Sequence, residues 1–178
     1  MKKIVFYFLL LVFCLSCEEP VIYKDFILKK IPYTGNELRM DGYYYRYLDC
    51  ESNNYIAACC FYRNGVLLDI VGAALSLEEA DEKIKQFMER DVNSNYERSN
   101  WGLFVVDNQT IKFELYYPQE YFTKWTGIME GVILNDTTFR ITSFYDLSND
   151  ERYTVNDTFY FRQFSPKPDS TVANKWIK

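Results

Sequence analysis

The chain has 178 residues, with 20 basic against 25 acidic side chains, a net charge of −5 and no histidine. This acidic balance argues against nucleic acid or anionic lipid as the main partner, since both demand basic patches. Without histidine there is no His-dependent triad, His general base or His-ligated metal, and catalysis would rest on carboxylates, Tyr, Lys or Cys.

The first element is an address. Lys2 and Lys3 precede an unbroken apolar run from Ile4 to Phe13, and Leu15-Ser16-Cys17 follows. A run of about ten residues is too short to cross a hydrocarbon core about 30 Å thick, so residues 1–16 read as a secretion signal. The segment resembles a bacterial lipoprotein signal, with Cys17 in the place of the acylated residue that becomes the mature N-terminus. Cys14 fits that place less well, because bulky Phe13 would sit at the cleavage point. Glu18 and Glu19 resemble the export signal of Bacteroidota-type surface lipoproteins. The resemblance implies a palmitate-type lipid anchor at Cys17 in the outer membrane, facing either the periplasm or the cell surface. Acyl chains contribute about 0.8 kcal/mol per buried methylene, so several chains make attachment effectively permanent.

Processing leaves about 160 residues, enough for one domain that buries about 70% of its unfolded surface. Sixteen Tyr and 14 Phe favour strands over helices. Residues 17–38 read as a lipidated tether and irregular lead-in, interrupted by Pro20, Pro32 and Gly35. Residues 39–164 form the β domain, and Ser165-Pro166-Lys167-Pro168 opens a C-terminal tail, 165–178.

Within the β domain, Tyr43–Leu48, Tyr55–Arg63 and Val66–Ala74 are the first three strands. Asn64-Gly65 predicts a two-residue type I′ turn. That register places Cys59, Phe61, Leu68 and Ile70 on one face, taken as the core. Ala58, Cys60, Tyr62, Leu67, Asp69 and Val71 then share the outer face with Tyr43, Tyr45 and Tyr47. Ser76-Leu77-Glu78-Glu79 is a capping box opening a helix over about 76–91. Leu77, Ala80, Ile84, Phe87 and Met88 form its apolar stripe, and Glu78, Asp81, Glu82, Lys85 and Glu89 its solvated face.

Two further hairpins follow. Trp101–Val106 and Thr110–Tyr117 flank Asp107-Asn108, with Phe104, Val106, Ile111, Phe113 and Leu115 on the core side. Trp125–Leu134 and Thr137–Tyr145 flank Asn135-Asp136, with Ile128, Val132 and Leu134 beside Phe139 and Ile141; Glu130 falls on that same apolar face. Tyr153–Phe164 is the last strand. The fold class is mostly β: an antiparallel meander of about eight strands, with the helix after the third, forming a barrel or strongly bent sheet. The succession from Trp101-Gly102-Leu103-Phe104 to Tyr117, then Trp125 to Phe144, resembles the hairpins of lipocalin-like (calycin) domains. The Gly-x-Trp signature of lipocalins is absent and the helix comes early, so no ligand residue carries over.

No cofactor is expected. Adjacent Cys59 and Cys60 point to opposite sides of a strand, which disfavours a metal site. Cys50 is too far along the hairpin to bridge either. Asp69 and Glu130 are the acids of interest, because a carboxylate on an apolar face acquires a raised pKa. Two such groups could serve a glycosidase, although the plainer expectation puts each at a barrel mouth or a bulge. Trp101, Trp125 and Tyr116 could form a stacking platform for a sugar or an apolar ligand, against the plainer expectation that they pack. The role expected is non-catalytic binding of a small apolar or sugar-like ligand. The alternatives are a protein-interaction module of a cell-surface complex and, more distantly, a carboxylate-dependent glycoside hydrolase.

Overall fold

The computed structural model describes residues 21–50, 53–89, 98–117 and 123–178. The signal segment, Cys17 and the helix end at 90–91 lie outside the described residues. The strands in chain order are β1 (Ile22–Tyr23), β2 (Gly42–Cys50), β3 (Asn53–Phe61), β4 (Val66–Ala74), β5 (Trp101–Asp107), β6 (Thr110–Tyr116), β7 (Thr123–Lys124), β8 (Thr126–Asn135), β9 (Thr138–Asp146) and β10 (Glu151–Gln163). Eight of them close an antiparallel barrel of lipocalin-like type, in which β10 returns to pair with β2; β1 and β7 form a separate parallel pair. Helix α1 (Leu77–Glu89) follows β4, the third barrel strand, and the 3-10 helix η1 (Ser170–Lys175) follows β10.

The local chemistry of α1 is largely as the sequence reads. Ser76 Oγ accepts from the Glu79 N–H at 3.1 Å, while the Glu79 carboxylate reaches back one residue further than expected, to the Leu75 N–H at 2.7 Å. The helix lies on the outside of β2–β4, where Ala80 and Ile84 bury against a cluster that includes Tyr43, Cys60, Leu68 and Trp101. Asp81 departs from the solvated face assigned to it. Its carboxylate accepts from Tyr43 Oη at 2.8 Å and from Arg162 at 2.7 Å, fastening the helix to the wall. Burial and this bond push the Tyr43 phenol well above its ordinary range.

Three hairpins differ from the expected register: β3–β4 and β8–β9 because of extra residues, and β5–β6 because its turn falls one residue later. The β3–β4 loop has three residues: Gly65 N–H donates to Tyr62 O, Tyr62 pairs with Val66, and Gly65 takes φ +83. This is a type I turn closed by a left-handed glycine. A Cβ at Gly65 would also collide with the Ile31 carbonyl. The extra residue reverses the facing of β4, so Cys59 lies opposite Asp69 and Phe61 opposite Leu67. Leu67 and Asp69 therefore point into the barrel, while Leu68 and Ile70 pack outside under the helix. In β8–β9, bulges beside Leu134 and Thr142 set Ile133 opposite Phe139 and Gly131 opposite Ile141. Val132 and Leu134 consequently face solvent, and Glu130 lies on the outer surface rather than the apolar face. The β5–β6 hairpin slips by two residues, pairing Phe104 with Phe113, and its core face stands as predicted.

One half of the barrel is solid. Tyr44, Phe61, Phe104, Phe113, Phe139 and Phe159 interlock there, with Phe139 stacked on Phe159 at 4.7 Å and Phe61 edge-on to Phe104 at 4.9 Å. Each fully buried ring contributes about 1.5–3 kcal/mol. The chain before β2 stoppers this closed end: Tyr33 and Leu38 belong to the same cluster, and Tyr44 Oη donates to Asp136 O at 2.6 Å. The last residues also dock, with Ala173 and Ile177 buried in the outer cluster.

Candidate functional site

Towards the other end, where β2, β6 and β9 finish, the hydrogen-bond ladders thin out. Among the described residues β2 pairs with β10 over Gly42–Tyr45, and β4 with β5 over Val66–Leu68, followed by one further bond from Asp69 N–H to Asn100 O at 2.7 Å. Lumen-facing side chains here include partly buried Met129, Phe144 and Val155, although Val106 and Phe161 of the closed half are partly buried too and Leu115 near the open end is buried. The barrel thus has a cup-like arrangement, with an aromatic floor at one end and inward side chains partly reached by solvent above it.

Three charged groups stand on that floor. Alternation from Tyr44 turns Arg46 inward, where its guanidinium lies 5.5 Å over the Phe159 ring and is ion-paired with Asp157. The pair joins β2 to β10 beyond the point where their ladder ends. The Arg46 and Asp157 side chains keep 22% and 32% of their surface exposed. Asp69 enters from β4 beside Cys59. Protein atoms surround it, yet part of the residue stays accessible to water. Burial pushes its carboxyl up to about 6, against an opposing pull from Arg46. Among the described residues, no hydrogen-bond donor is placed on the Asp69 carboxylate. Burial likewise raises the Cys59 thiol and lowers Arg46. At the rim, Asp146 accepts from Tyr117 Oη, Glu151 accepts from Tyr153 Oη at 2.5 Å, and Phe144 stacks on Tyr153 at 6.2 Å.

The structure separates the residues singled out from sequence. Asp69 is in the cup. Glu130 is on the opposite side of the wall, paired with Lys112 at 3.1 Å and Arg152 at 3.9 Å, so the Asp69–Glu130 couple required for hydrolysis is not formed. Trp101 is fully buried under α1, 5.9 Å from Tyr62 and 6.3 Å from Phe87. Tyr116 is buried too, donating to Lys24 O at 2.7 Å, and Lys24 Nζ lies 4.7 Å over the Trp125 ring. These three rings serve packing and the N-terminal segment, and they do not assemble a platform. Cys59 and Cys60 are free buried thiols on opposite faces of β3, with Cys60 raised to about 11 by burial. Among the described residues no group of three Cys, Asp or Glu side chains could hold a metal ion.

Sequence reasoning missed Arg46, Asp157 and Glu114. Arg46 was legible, since it shares the face of Cys59 and Phe61. Asp157 follows a bulge at Thr154/Asp157 that nothing in the sequence marks. Glu114 is fully buried on the outer face of β6, accepting from the N–H groups of Ile27 (2.9 Å) and Leu28 (2.8 Å) and from Thr126 Oγ1 (2.5 Å). It secures the segment 21–40 along the barrel. A shallow cleft of about 630 Å³ runs beside that segment, lined by Ile27, Ile31, Tyr33, Glu37 and Val105; it lacks any deep charged group. No protein-family model, no curated protein and no solved structure matches the chain.

Proposed function

We propose that this is a lipid-anchored outer-membrane protein that binds a small ligand with an apolar or sugar-like body in the open half of its barrel, without performing chemistry on it. What supports this reading is the placement of three inward charged groups, Arg46, Asp69 and Asp157, each partly accessible to solvent, above a floor of interlocked rings. Pockets that combine apolar walls with a few convergent polar groups are the usual form of small-molecule sites. The anchor rests on the signal resemblance at Cys17; replacing Cys17 with Ala should move the protein from the membrane to the soluble fraction, and retention in membranes would defeat it.

Met129 lines the chamber and Met88 lies exposed on α1, so methyl-labelled methionine provides a probe and an internal control. Titration with two neutral compounds, benzyl alcohol and a methyl glucoside, should shift the Met129 methyl resonance for at least one and leave Met88 unmoved. Val155→Trp, which fills the chamber, should abolish the shift. An unmoved Met129 with both compounds and with charged analogues of the same ring would refute the binding reading. The runner-up, a protein-interaction module, draws on Tyr47 (55% exposed) and Tyr160 (42% exposed), which flank Tyr45 at 5.7 and 5.9 Å on the outer wall. Loss of a co-purifying partner in a Tyr47→Ala, Tyr160→Ala variant would favour it.

A further inference from the structure

The charges on the floor of the cup do not balance. Arg46 is taken by Asp157, and it is the one cation among the described lumen-facing side chains. Asp69 faces the same space from β4 without a donor among the described residues. A ligand carboxylate seeking Arg46 would have to displace Asp157 and would then stand beside Asp69. A neutral hydroxyl would satisfy Asp69 but leave two carboxylates sharing the single Arg46 guanidinium, an excess of negative charge in a partly dehydrated site. At the β9–β10 corner of the rim Asp146 and Glu151 lie opposite each other. Between rim and floor, Phe144 and Tyr153 present stacked rings, whose faces attract cations.

We infer that the ligand carries a cationic head, an ammonium or guanidinium group, which enters past Phe144 and Tyr153 and pairs with the Asp69 carboxylate. This rests on the cup being the ligand site. The groups facing the bound head are then Asp69 from β4, Cys59 from β3, Arg46 from β2 and Asp157 from β10. Arg46 remains with Asp157 and acts as a positioning residue, holding that carboxylate away from the head so that Asp69 alone selects it.

The test compares three probes that share one ring and differ in charge: benzylammonium, benzyl alcohol and benzoate, read through the Met129 methyl resonance of the full chain at pH 7.5. Benzylammonium should bind at least tenfold more tightly than either of the others. Asp69→Asn should reduce its affinity to that of benzyl alcohol, while Glu130→Gln, on the outer wall, should change nothing. Tighter binding of benzoate would make Arg46 the receptor and overturn the inference. So would equal affinities for the amine and the alcohol, or an unchanged benzylammonium affinity in Asp69→Asn. If benzyl alcohol or the methyl glucoside binds while the ammonium has no advantage, the head-group inference fails and the cup stands. If no compound moves Met129, the cup itself fails and the inference with it.

Discussion

Glu114→Ala offers a sharp test of how the segment 21–40 is held. The native carboxyl group takes three donors, the Ile27 and Leu28 N–H groups and the Thr126 hydroxyl, in a site with no solvent exposure. Hydrogen bonds contribute about 0.5–1.5 kcal/mol net, and a buried donor left without an acceptor costs about 1–3 kcal/mol. The Thr126 hydroxyl can rotate to another acceptor, so two orphaned amides at the lower half of that range and a partly collapsed void should cost about 3–5 kcal/mol. The segment can limit that loss by lifting off and returning its amides to water. Urea unfolding followed at equilibrium measures the cost, and hydrogen exchange at Ile27 and Leu28 separates the two responses. Either a loss of about 3–5 kcal/mol with protected amides, or a smaller loss with amides that exchange rapidly, agrees with the anchoring role. A loss under about 1 kcal/mol with both amides still protected would refute it.

Three further outcomes are expected. The Asp69 carboxyl, raised to about 6 by burial, holds its proton more tightly in the folded than in the unfolded chain, so its ionisation removes stability as pH rises from about 4 to 6. Asp69→Asn should accordingly be near neutral at pH 4 and stabilising at pH 7 by about 1–3 kcal/mol, water in the cup keeping it at or below the full shift; equal effects on the urea midpoint at both pH values would count against this. Glu130→Gln, a half-exposed position with Lys112 and Arg152 as partners, should change stability by less than about 0.5 kcal/mol by the same measurement, and a larger change would put Glu130 in a structural role it does not have here. Cys59 and Cys60 should resist thiol reagents in the native protein and react in denaturant; mass spectrometry finding either joined to Cys50 would contradict the fold.

Strand order, the early helix with its Ser76 cap, and the core face of β5–β6 were all legible, because alternation and capping are local properties. Facing was lost wherever one residue was inserted. The third loop residue before Val66 turned Asp69 from the outer wall to the lumen, and the bulge at Leu134 exchanged Val132 for Ile133. A strand has a side-chain period of two, so a single uncounted residue reverses every later assignment until another restores it. Asp69 was thus chosen as an acid of interest but assigned to the wrong wall, and its neighbour Asp157 was not seen. Trp101 and Tyr116 misled for a different reason: their rings suit a platform, and only the tertiary structure reveals α1 and the N-terminal segment lying over them.

The parallel pairing of Ile22 with Thr123 fixes where the chain arrives on the barrel, beside the end of β6 and hence at the rim of the open half. Four residues lie between Cys17 and Ile22, five Cα-to-Cα steps. Even fully stretched they reach no more than about 18 Å. If Cys17 carries the acyl chains proposed for it, that short leash would keep the mouth of the barrel close to the headgroups. An amphiphile leaving the bilayer would then have little bulk water to cross to reach it.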